Sequence, residues 1–191
     1  MNNSQYIPPN VRKSLNNVVK LLNRFKVRYL VIRAIPVQYY GRPRTSWDVD
    51  LVIMTPIGKE QLFKMLSPER YNLVSGTTDV FKFKDLGTNT FLDIILKPQQ
   101  VGLTYDSFKK KKAVTINGTD VNIVSPEDYI ITKLKSRRAG TGDFHDIVTT
   151  LTNMYDKLEW SYLERRAKTL NLHHLLKYYR EGIEWKRRRQ E

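Results

Sequence analysis

Three aspartates in short apolar segments are the residues of this sequence best suited to chemistry. Asp48 and Asp50 stand one residue apart in residues 47–53, and Asp93 is the single acid of residues 91–96. Alternate side chains of a β-strand share a face, so we expect Asp48 and Asp50 to project together. Carboxylates in apolar strands are costly unless a cation offsets them, and Mg²⁺ prefers carboxylate oxygens. The pattern predicts a Mg²⁺ (or Mn²⁺) site for two-metal phosphoryl transfer, with all three aspartates as metal ligands and catalytic residues.

A simpler interpretation of the same acids needs no metal. Asp48 would cap a turn, and Asp93 would pair with one of the many lysines. A single Asp-x-Asp is a weak signal, and the third acid in a similar segment strengthens the metal interpretation.

Two longer segments carry a family resemblance. Residues 29–50 read YLVIRAIPVQYYGRPRTSWDVD, and residues 125–147 read SPEDYIITKLKSRRAGTGDFHDI. In this order, with Asp93 between them, they resemble the polymerase-beta-like nucleotidyltransferases. The resemblance is to the small prokaryotic branch that includes abortive-infection-type toxins, and it spans residues 27 to 148. It implies an α/β (α+β) fold, in which helices flank a mixed twisted sheet and a C-terminal helical part follows.

The resemblance also implies a nucleotide site. Arg33 and Ala34 stand where the family has paired small residues, which let backbone N–H groups approach the triphosphate. Arg33 would either donate to phosphate or obstruct the pocket. The other residues implied to bind nucleotide are Arg44, Thr45, Lys133 and Arg137. The expected activity is transfer of an NMP group from an NTP to an acceptor hydroxyl. The alternative is a catalytically degenerate fold that binds nucleic acid or protein.

The elements that must position these residues follow from hydrophobic periodicity, capping residues and turn residues. After residue 124 the strand patterns end, which predicts a catalytic core over 1–124 and a helical region over 125–191. Strands are expected over 28–32, 47–54, 80–83 and 91–96, with a hairpin over 113–124 that turns at Asn117-Gly118. Helices are expected over 10–26, 36–40, 58–66, 126–138, 142–155, 160–170 and 172–188.

The charge balance indicates an anionic partner. The 191 residues include 33 Lys and Arg against 19 Asp and Glu, a formal net charge of +14. Such a field attracts polyphosphates and nucleic acid, so we expect RNA (for example tRNA) or another anionic acceptor, although a merely solvated basic surface would have the same composition. The nucleic-acid-binding candidates are Lys109, Lys110, Lys111 and Lys112, whereas the basic run 186–189 fits a solvated terminus equally well.

Composition also bears on compartment and partners. The chain has no cysteine, which excludes disulfides and thiolate metal sites. It shows neither a bilayer-length apolar run nor a signal peptide, so we expect a cytoplasmic protein without membrane contact. The resemblance to toxins adds an antitoxin or another protein as an expected partner.

Overall fold

The computed structural model describes residues 6–66, 70–136 and 142–189. The first element is α1 (Pro9–Arg24), and strands and helices are mixed as far as residue 123. Among the described residues after 123, the regular elements are all helices. The strands are β1 (Tyr29–Val31), β2 (Asp48–Ile53), β3 (Tyr71–Gly76), β4 (Val80–Asp85), β5 (Thr90–Ile95), β6 (Lys112–Ile116) and β7 (Thr119–Ile123). The remaining helices are α2 (Ala34–Tyr40), α3 (Lys59–Met65), α4 (Pro126–Ser136), α5 (Asp143–Met154), α6 (Trp160–Thr169) and α7 (His173–Arg188), with 3₁₀ segments at Pro98–Val101, Tyr105–Lys110 and Tyr155–Lys157.

The strands form one mixed seven-stranded sheet in the order β3-β4-β5-β2-β1-β7-β6. Strand β2 lies in its centre, parallel to β5 and antiparallel to β1. Strands β3, β4 and β5 form an antiparallel meander at one edge, and the β6–β7 hairpin forms the other edge. The fold therefore places β2 and β5, which carry the three acids, side by side in the middle of the sheet.

Local sequence accounts for the starts of α1 and α4, the helices that precede and follow the strands along the chain. Helix α1 starts at a proline, which suits a first turn, and buries a stripe of apolar side chains: Val11, Leu15, Val18, Val19 and Leu22. Before α4, the Ser125 hydroxyl accepts a hydrogen bond from the Asp128 N–H (3.2 Å), and Pro126 takes the first helical position. Helix α4 is buried along most of its length and contacts α2, α5 and α6. It therefore connects the sheet to the C-terminal helices.

Two apolar clusters form the core. The larger one packs α1, α2 and α3 against the sheet, and the smaller one joins α4 to α5, α6 and α7. No helix within the described ranges combines the length and the apolar character needed to cross a bilayer.

Most predicted elements are confirmed within a few residues. The Asn117-Gly118 turn has positive φ at both residues (49° and 74°), as a tight hairpin turn requires. Strand β3 was missed, because most of its residues are exposed and its sequence does not alternate. The end predicted for α4 at residue 138 lies outside the described residues, and the division at 124/125 stays a prediction.

Candidate active site

The parallel pairing of β2 with β5 brings two of the three acids together. Asp50 and Asp93 are direct partners across the two strands, and Asp48 stands opposite Phe91 on the same face. Asp50 is buried, with 6% of its surface exposed, whereas Asp48 and Asp93 are half-buried. The expectation that Asp48 and Asp50 share a face is confirmed, and Asp93 joins that face next to Asp50.

The guanidinium of Arg33 lies between the paired carboxylates. Its Nη1 donates to Asp50 Oδ1 and also to Asp93 Oδ2 (3.0 Å). Arg33 directly precedes α2 and has φ 62° and ψ −119°, a conformation typical of glycine at the first central position of a type II′ turn. This backbone geometry directs the side chain across the sheet face, so Arg33 contacts the acids.

Lys82 of β4 adds a second cation on the other side of Asp93. Its Nζ forms an ion pair with Asp93 Oδ1 at 3.2 Å. That oxygen is buried, and no donor among the described residues has the geometry of a hydrogen bond to it. The simpler interpretation of Asp93, pairing with a lysine, therefore matches the geometry in part. For Asp48 it does not: within the described ranges its carboxylate makes no hydrogen bond or ion pair, and no turn is capped by it.

Burial raises the pKa of Asp50 to about 6, and the negative charges of Asp93 and Asp48 act in the same direction. Arg33 opposes this shift through its charge and its hydrogen bond. Desolvation would lower the pKa of Arg33, but the two carboxylates outweigh it and raise that pKa above its ordinary value. Burial is thus the main reason that the pKa of Asp50 rises to about 6, and the Arg33 guanidinium offsets this effect only in part.

Asp48, Asp50 and Asp93 have the oxygen ligands that a divalent cation prefers, but Arg33 already lies between two of them. No group of three or more His, Cys, Asp or Glu side chains suited to a metal is present in residues 6–66, 70–136 and 142–189. However, Asp50 and Asp93 already share a cationic group, and Mg²⁺ is often held by one or two carboxylates together with substrate phosphates. A metal would therefore have to displace the Arg33 guanidinium from this pair.

A cavity of about 230 Å³ opens beside the acids. We call it the acid cavity, and its walls include the predicted residues Arg33, Ala34, Arg44, Thr45, Asp48 and Asp50. Trp47 also lines it and is the most exposed large apolar side chain among the described residues, at 71%. An exposed indole beside a carboxylate cluster offers a stacking surface for a planar group.

A second cavity of about 230 Å³, the basic cavity, shares Arg33 and Arg44 with the first. On its far wall Lys133 is buried. Its Nζ donates a hydrogen bond to Asp143 Oδ1 (2.7 Å) and forms an ion pair with Asp146 Oδ2 (2.9 Å). Arg44 lies 3.5 Å from Asp146, and its Nε is buried without a hydrogen-bond partner among the described residues. An unpaired buried N–H is costly, so this atom favours an acceptor oxygen in the cavity.

The buried carboxylate of Asp146 pairs with three cationic side chains at this wall. Its side chain is 1% exposed and is paired with Arg42 (3.2 Å), Arg44 and Lys133, and it also accepts a hydrogen bond from the Tyr129 hydroxyl (3.3 Å). The roles of Arg42, Asp143 and Asp146 were missed from the sequence. The signal was the Asp-x-x-Asp spacing, which puts residues 143 and 146 on one helix face.

The remaining predicted residues lie elsewhere. Lys109, Lys110, Lys111 and Lys112 precede or begin β6, and three strands separate β6 from β5 in the sheet. Each has a partner within the chain: respectively Asp106, Glu159, the Phe108 ring and the Tyr40 ring. Arg137 lies outside the described residues. The structure therefore places Arg33 between two of the three aspartates, Asp50 and Asp93, with Ala34, Arg44, Thr45 and Asp48 in the walls of the acid cavity. Lys133 lies in the adjoining basic cavity, and the lysine run is separate from both.

Comparison with known proteins identifies the fold. No family model and no curated protein of related sequence matches the chain. Among solved structures, an antigenic nucleotidyltransferase-like protein from Paracoccidioides brasiliensis is 23% identical (TM-score 0.54, 74% of this chain and 75% of that chain). The lincosamide antibiotic adenylyltransferase LnuA, in its lincomycin-bound crystal structure, is 16% identical (TM-score 0.52, 72% and 94%). The antibiotic-resistance factor ANT(2″)-Ia, in a solution structure, is 12% identical (TM-score 0.56, 95% and 100%).

Proposed function

We propose that the chain is a nucleotidyltransferase that moves an NMP group from an NTP to an acceptor hydroxyl. Its fold is that of the nucleotidyltransferase-like structures above, as the sequence resemblance predicted. The observation that carries this proposal is the pairing of Asp50 with Asp93 across β2 and β5, with Asp48 on the same face. Three strand carboxylates beside cavities lined by arginine and lysine suit a substrate that brings phosphates and cations together.

Asp48, Asp50 and Asp93 would hold Mg²⁺ (or Mn²⁺), which when bound neutralises phosphate charge and polarises the reacting oxygens. Arg44 would donate its unpartnered Nε–H to a phosphate oxygen, and Lys133 would place a positive charge on the far wall of the basic cavity. Ala34, Thr45 and Trp47 would shape the acid cavity around the nucleotide. We assign Arg137 to nucleotide binding from the resemblance alone.

In the transfer, an acceptor hydroxyl oxygen forms a bond to the α-phosphorus as the bond from that phosphorus to the bridging oxygen breaks. Pyrophosphate leaves with the bonding electrons, and the hydroxyl proton passes to Asp93. Phosphoryl transfer depends chiefly on positioning and charge neutralisation, so few side chains are needed. The net charge of +14 favours an anionic acceptor such as tRNA or another RNA, with a protein as the other acceptor class and an antitoxin as a further partner.

Labelled nucleotides test the proposal. Wild type, Asp48→Asn, Asp50→Asn and the control Asp106→Asn are incubated with each α-³²P-labelled NTP, Mg²⁺ or Mn²⁺, and RNA or protein acceptors. Asp106 is exposed and lies outside both cavities, so its variant matches the loss of charge only. We expect wild type and Asp106→Asn to label an acceptor, and the two site variants to lose about 100-fold or more. Absence of transfer by wild type under every condition would overturn the proposal.

One observation favours a second candidate, a degenerate fold that binds nucleic acid or protein without catalysis. The Arg33 guanidinium occupies the position between Asp50 and Asp93 that a cation would need. Calorimetry with ATP and GTP, with and without Mg²⁺, separates the candidates. Nucleic-acid binding that is independent of metal, together with no nucleotide affinity, would support the degenerate fold.

A further inference from the structure

The face of the sheet that carries the acids extends beyond them over β5 and β4. Strand register aligns two rows of side chains across β4, β5 and β2: Lys84, Phe91 and Asp48 in one row, and Lys82, Asp93 and Asp50 in the other. Neighbouring strands are about 4.8 Å apart, so the lysine backbones lie about 10 Å from those of Asp48 and Asp50. The two lysines therefore lie one strand away from Asp93 and two strands away from Asp48 and Asp50.

Helices cover the opposite side of these strands. Phe63 of α3 contacts the inward-facing rings of Phe81 and Phe83, and Asn10 of α1 donates to Thr90 (3.2 Å). Side chains alternate along a strand, so the lysines of β4 and Phe91 of β5 point away from α3 and α1. The acid-bearing face of β4 and β5 is open around Phe91, and it is closed at Ile95, which is buried.

Phe91 is the aromatic centre of this open face. It is 36% exposed, and the ammonium groups of Lys82 and Lys84 lie 5.1 Å and 5.9 Å from its ring centroid. Cations within about 6 Å of a ring are attracted to its face. The result is a solvent-accessible ring flanked by two positive charges, next to the candidate site. We call Lys82, Lys84 and Phe91 the lysine face.

We propose that the lysine face binds single-stranded nucleic acid, with one end of the strand directed toward Asp93 and Asp50. Sequence-tolerant binding of single strands combines cations that meet the phosphates with aromatic rings on which bases stack, and the lysine face supplies both. A duplex would present its phosphates to the lysines and keep its bases from Phe91, so the exposed ring selects the single strand. Use of the bound end as an acceptor rests on the proposed function, whereas the binding itself does not.

Fluorescence anisotropy with a labelled 12-nucleotide single-stranded RNA, in EDTA and without NTP, measures this binding directly. Lys84→Ala removes a charge from the lysine face, and Lys64→Ala removes the same charge from an exposed position on α3, behind the sheet. Phe91→Ala removes the ring, Phe91→Leu keeps the apolar bulk if the alanine variant does not fold, and Phe25→Ala removes a 49% exposed ring at the end of α1.

We expect Lys84→Ala to weaken binding and to reduce the slope of log K against log salt by about 0.7, the value for one phosphate contact in a single strand. Loss of the Phe91 ring should weaken binding about fivefold or more and leave that slope unchanged. The Lys64 and Phe25 controls should bind within about twofold of wild type, because neither lies on this face. Duplex RNA of the same sequence should bind with equal affinity to wild type and Phe91→Leu.

Equal losses in Lys84→Ala and Lys64→Ala would mean that net charge alone attracts RNA, and would overturn the proposal. Unchanged affinity in both Phe91 variants would overturn it as well, because no base would stack there. The outcome is separable from that of the proposed function. RNA binding at this face without nucleotide transfer would refute the transfer activity only, and transfer to an acceptor without RNA binding would refute the lysine face only.

Discussion

Replacement of Arg33 by glycine should strengthen metal binding, because the guanidinium and the metal compete for the same carboxylates. Removal of one partner from a buried ion pair typically costs about 3–5 kcal/mol. The Arg33 side chain is 34% exposed, so we discount the value for solvent screening to about 2 kcal/mol. A competing interaction of that size weakens metal affinity about 30-fold. Arg33→Gly should therefore bind Mn²⁺ about 30 times more tightly than wild type.

The same variant should lose little stability without metal. Loss of the ion pairs destabilises it, but a non-glycine residue at φ 62°, ψ −119° carries about 1–3 kcal/mol of backbone strain that glycine relieves. The added freedom of glycine in the unfolded chain costs about 0.5–1 kcal/mol. The net effect is a loss of about 0–2 kcal/mol in unfolding free energy. Arg33→Ala loses the same ion pairs and keeps the strain, so it should be less stable than Arg33→Gly.

Thermal unfolding with a Mn²⁺ titration measures both effects. If wild type binds Mn²⁺ with a dissociation constant of about 10 mM, 10 mM metal stabilises it by about 0.4 kcal/mol and Arg33→Gly by about 2 kcal/mol. For a chain of this size the shifts in Tm are about 1–2 °C and about 4–8 °C. Arg33→Lys, which keeps the charge, serves as the matched control. Equal Mn²⁺ shifts in wild type, Arg33→Gly and Arg33→Ala would refute the competition.

NTP affinity of the same variants then separates obstruction from phosphate binding by Arg33. Under competition, Mg²⁺-dependent NTP binding rises in both Arg33→Gly and Arg33→Ala. Weaker NTP binding in both variants would mean instead that the guanidinium turns to the phosphates when nucleotide is present.

Three further outcomes are expected. Burial raises the pKa of Asp50 from its ordinary value of 3.8 to about 6 in the folded state. Its protonation therefore favours the folded state at low pH, and that contribution is lost as pH rises from about 4 to 6. Asp50→Asn should accordingly gain stability relative to wild type as pH rises across that range. The Mn²⁺ affinity of wild type should fall about tenfold per pH unit below pH 6. A Mn²⁺ affinity that calorimetry finds unchanged from pH 5 to 8 would contradict the second expectation. Gly41→Ala would place a Cβ 2.8 Å from a threonine hydroxyl of α5 and should lower the unfolding free energy by about 1–3 kcal/mol, whereas Gly58→Ala, with no atom within 4 Å, should change it by less than about 0.5 kcal/mol in urea unfolding. Lys133→Met should cost about 2 kcal/mol because it leaves two carboxylates short of a cation, and should weaken NTP binding; Lys135→Met, at an exposed position, is its control, and equal stability of the two variants would argue against the buried network.

The positions of Asp48 and Asp50 follow from a local rule. A strand has a period of two, so their common face could be predicted without any tertiary contact. The Asn117-Gly118 turn is similarly local, because the two residues themselves favour positive φ. Both features are present in the structure.

The partners of the acids are a different matter, since they depend on the order of strands. Asp93 lies beside Asp50 because β5 pairs in parallel with β2. The sequence predicted that the three acids form one site, but it did not predict which strands would be neighbours. Lys82 reaches Asp93 because the antiparallel register of β4 with β5 places the two residues opposite each other. Strand β3 itself is held by its pairing with β4 and not by burial, so its composition gave no strand signal.

The direction of the Arg33 side chain depends on tertiary structure as well. The sequence placed a long cation at a turn that usually has small residues, and left open whether it meets phosphate or blocks it. Only the relative placement of α2 and the two acid-bearing strands decides that the guanidinium meets carboxylates.

The shared pairing at Asp146 has a consequence for communication across the molecule. This carboxylate belongs to α5, two of its cations come from the segment that leads into β2, and a third comes from α4. A ligand that draws Arg44 away from Asp146 removes a positive charge from a group with almost no access to water. The remaining cations, Arg42 and Lys133, then offset more of its negative charge. Because Lys133 belongs to α4 and Asp146 to α5, the interaction between these two helices changes as well. Asp146 is therefore the side chain through which the wall of the basic cavity is joined to the contact between α4 and α5.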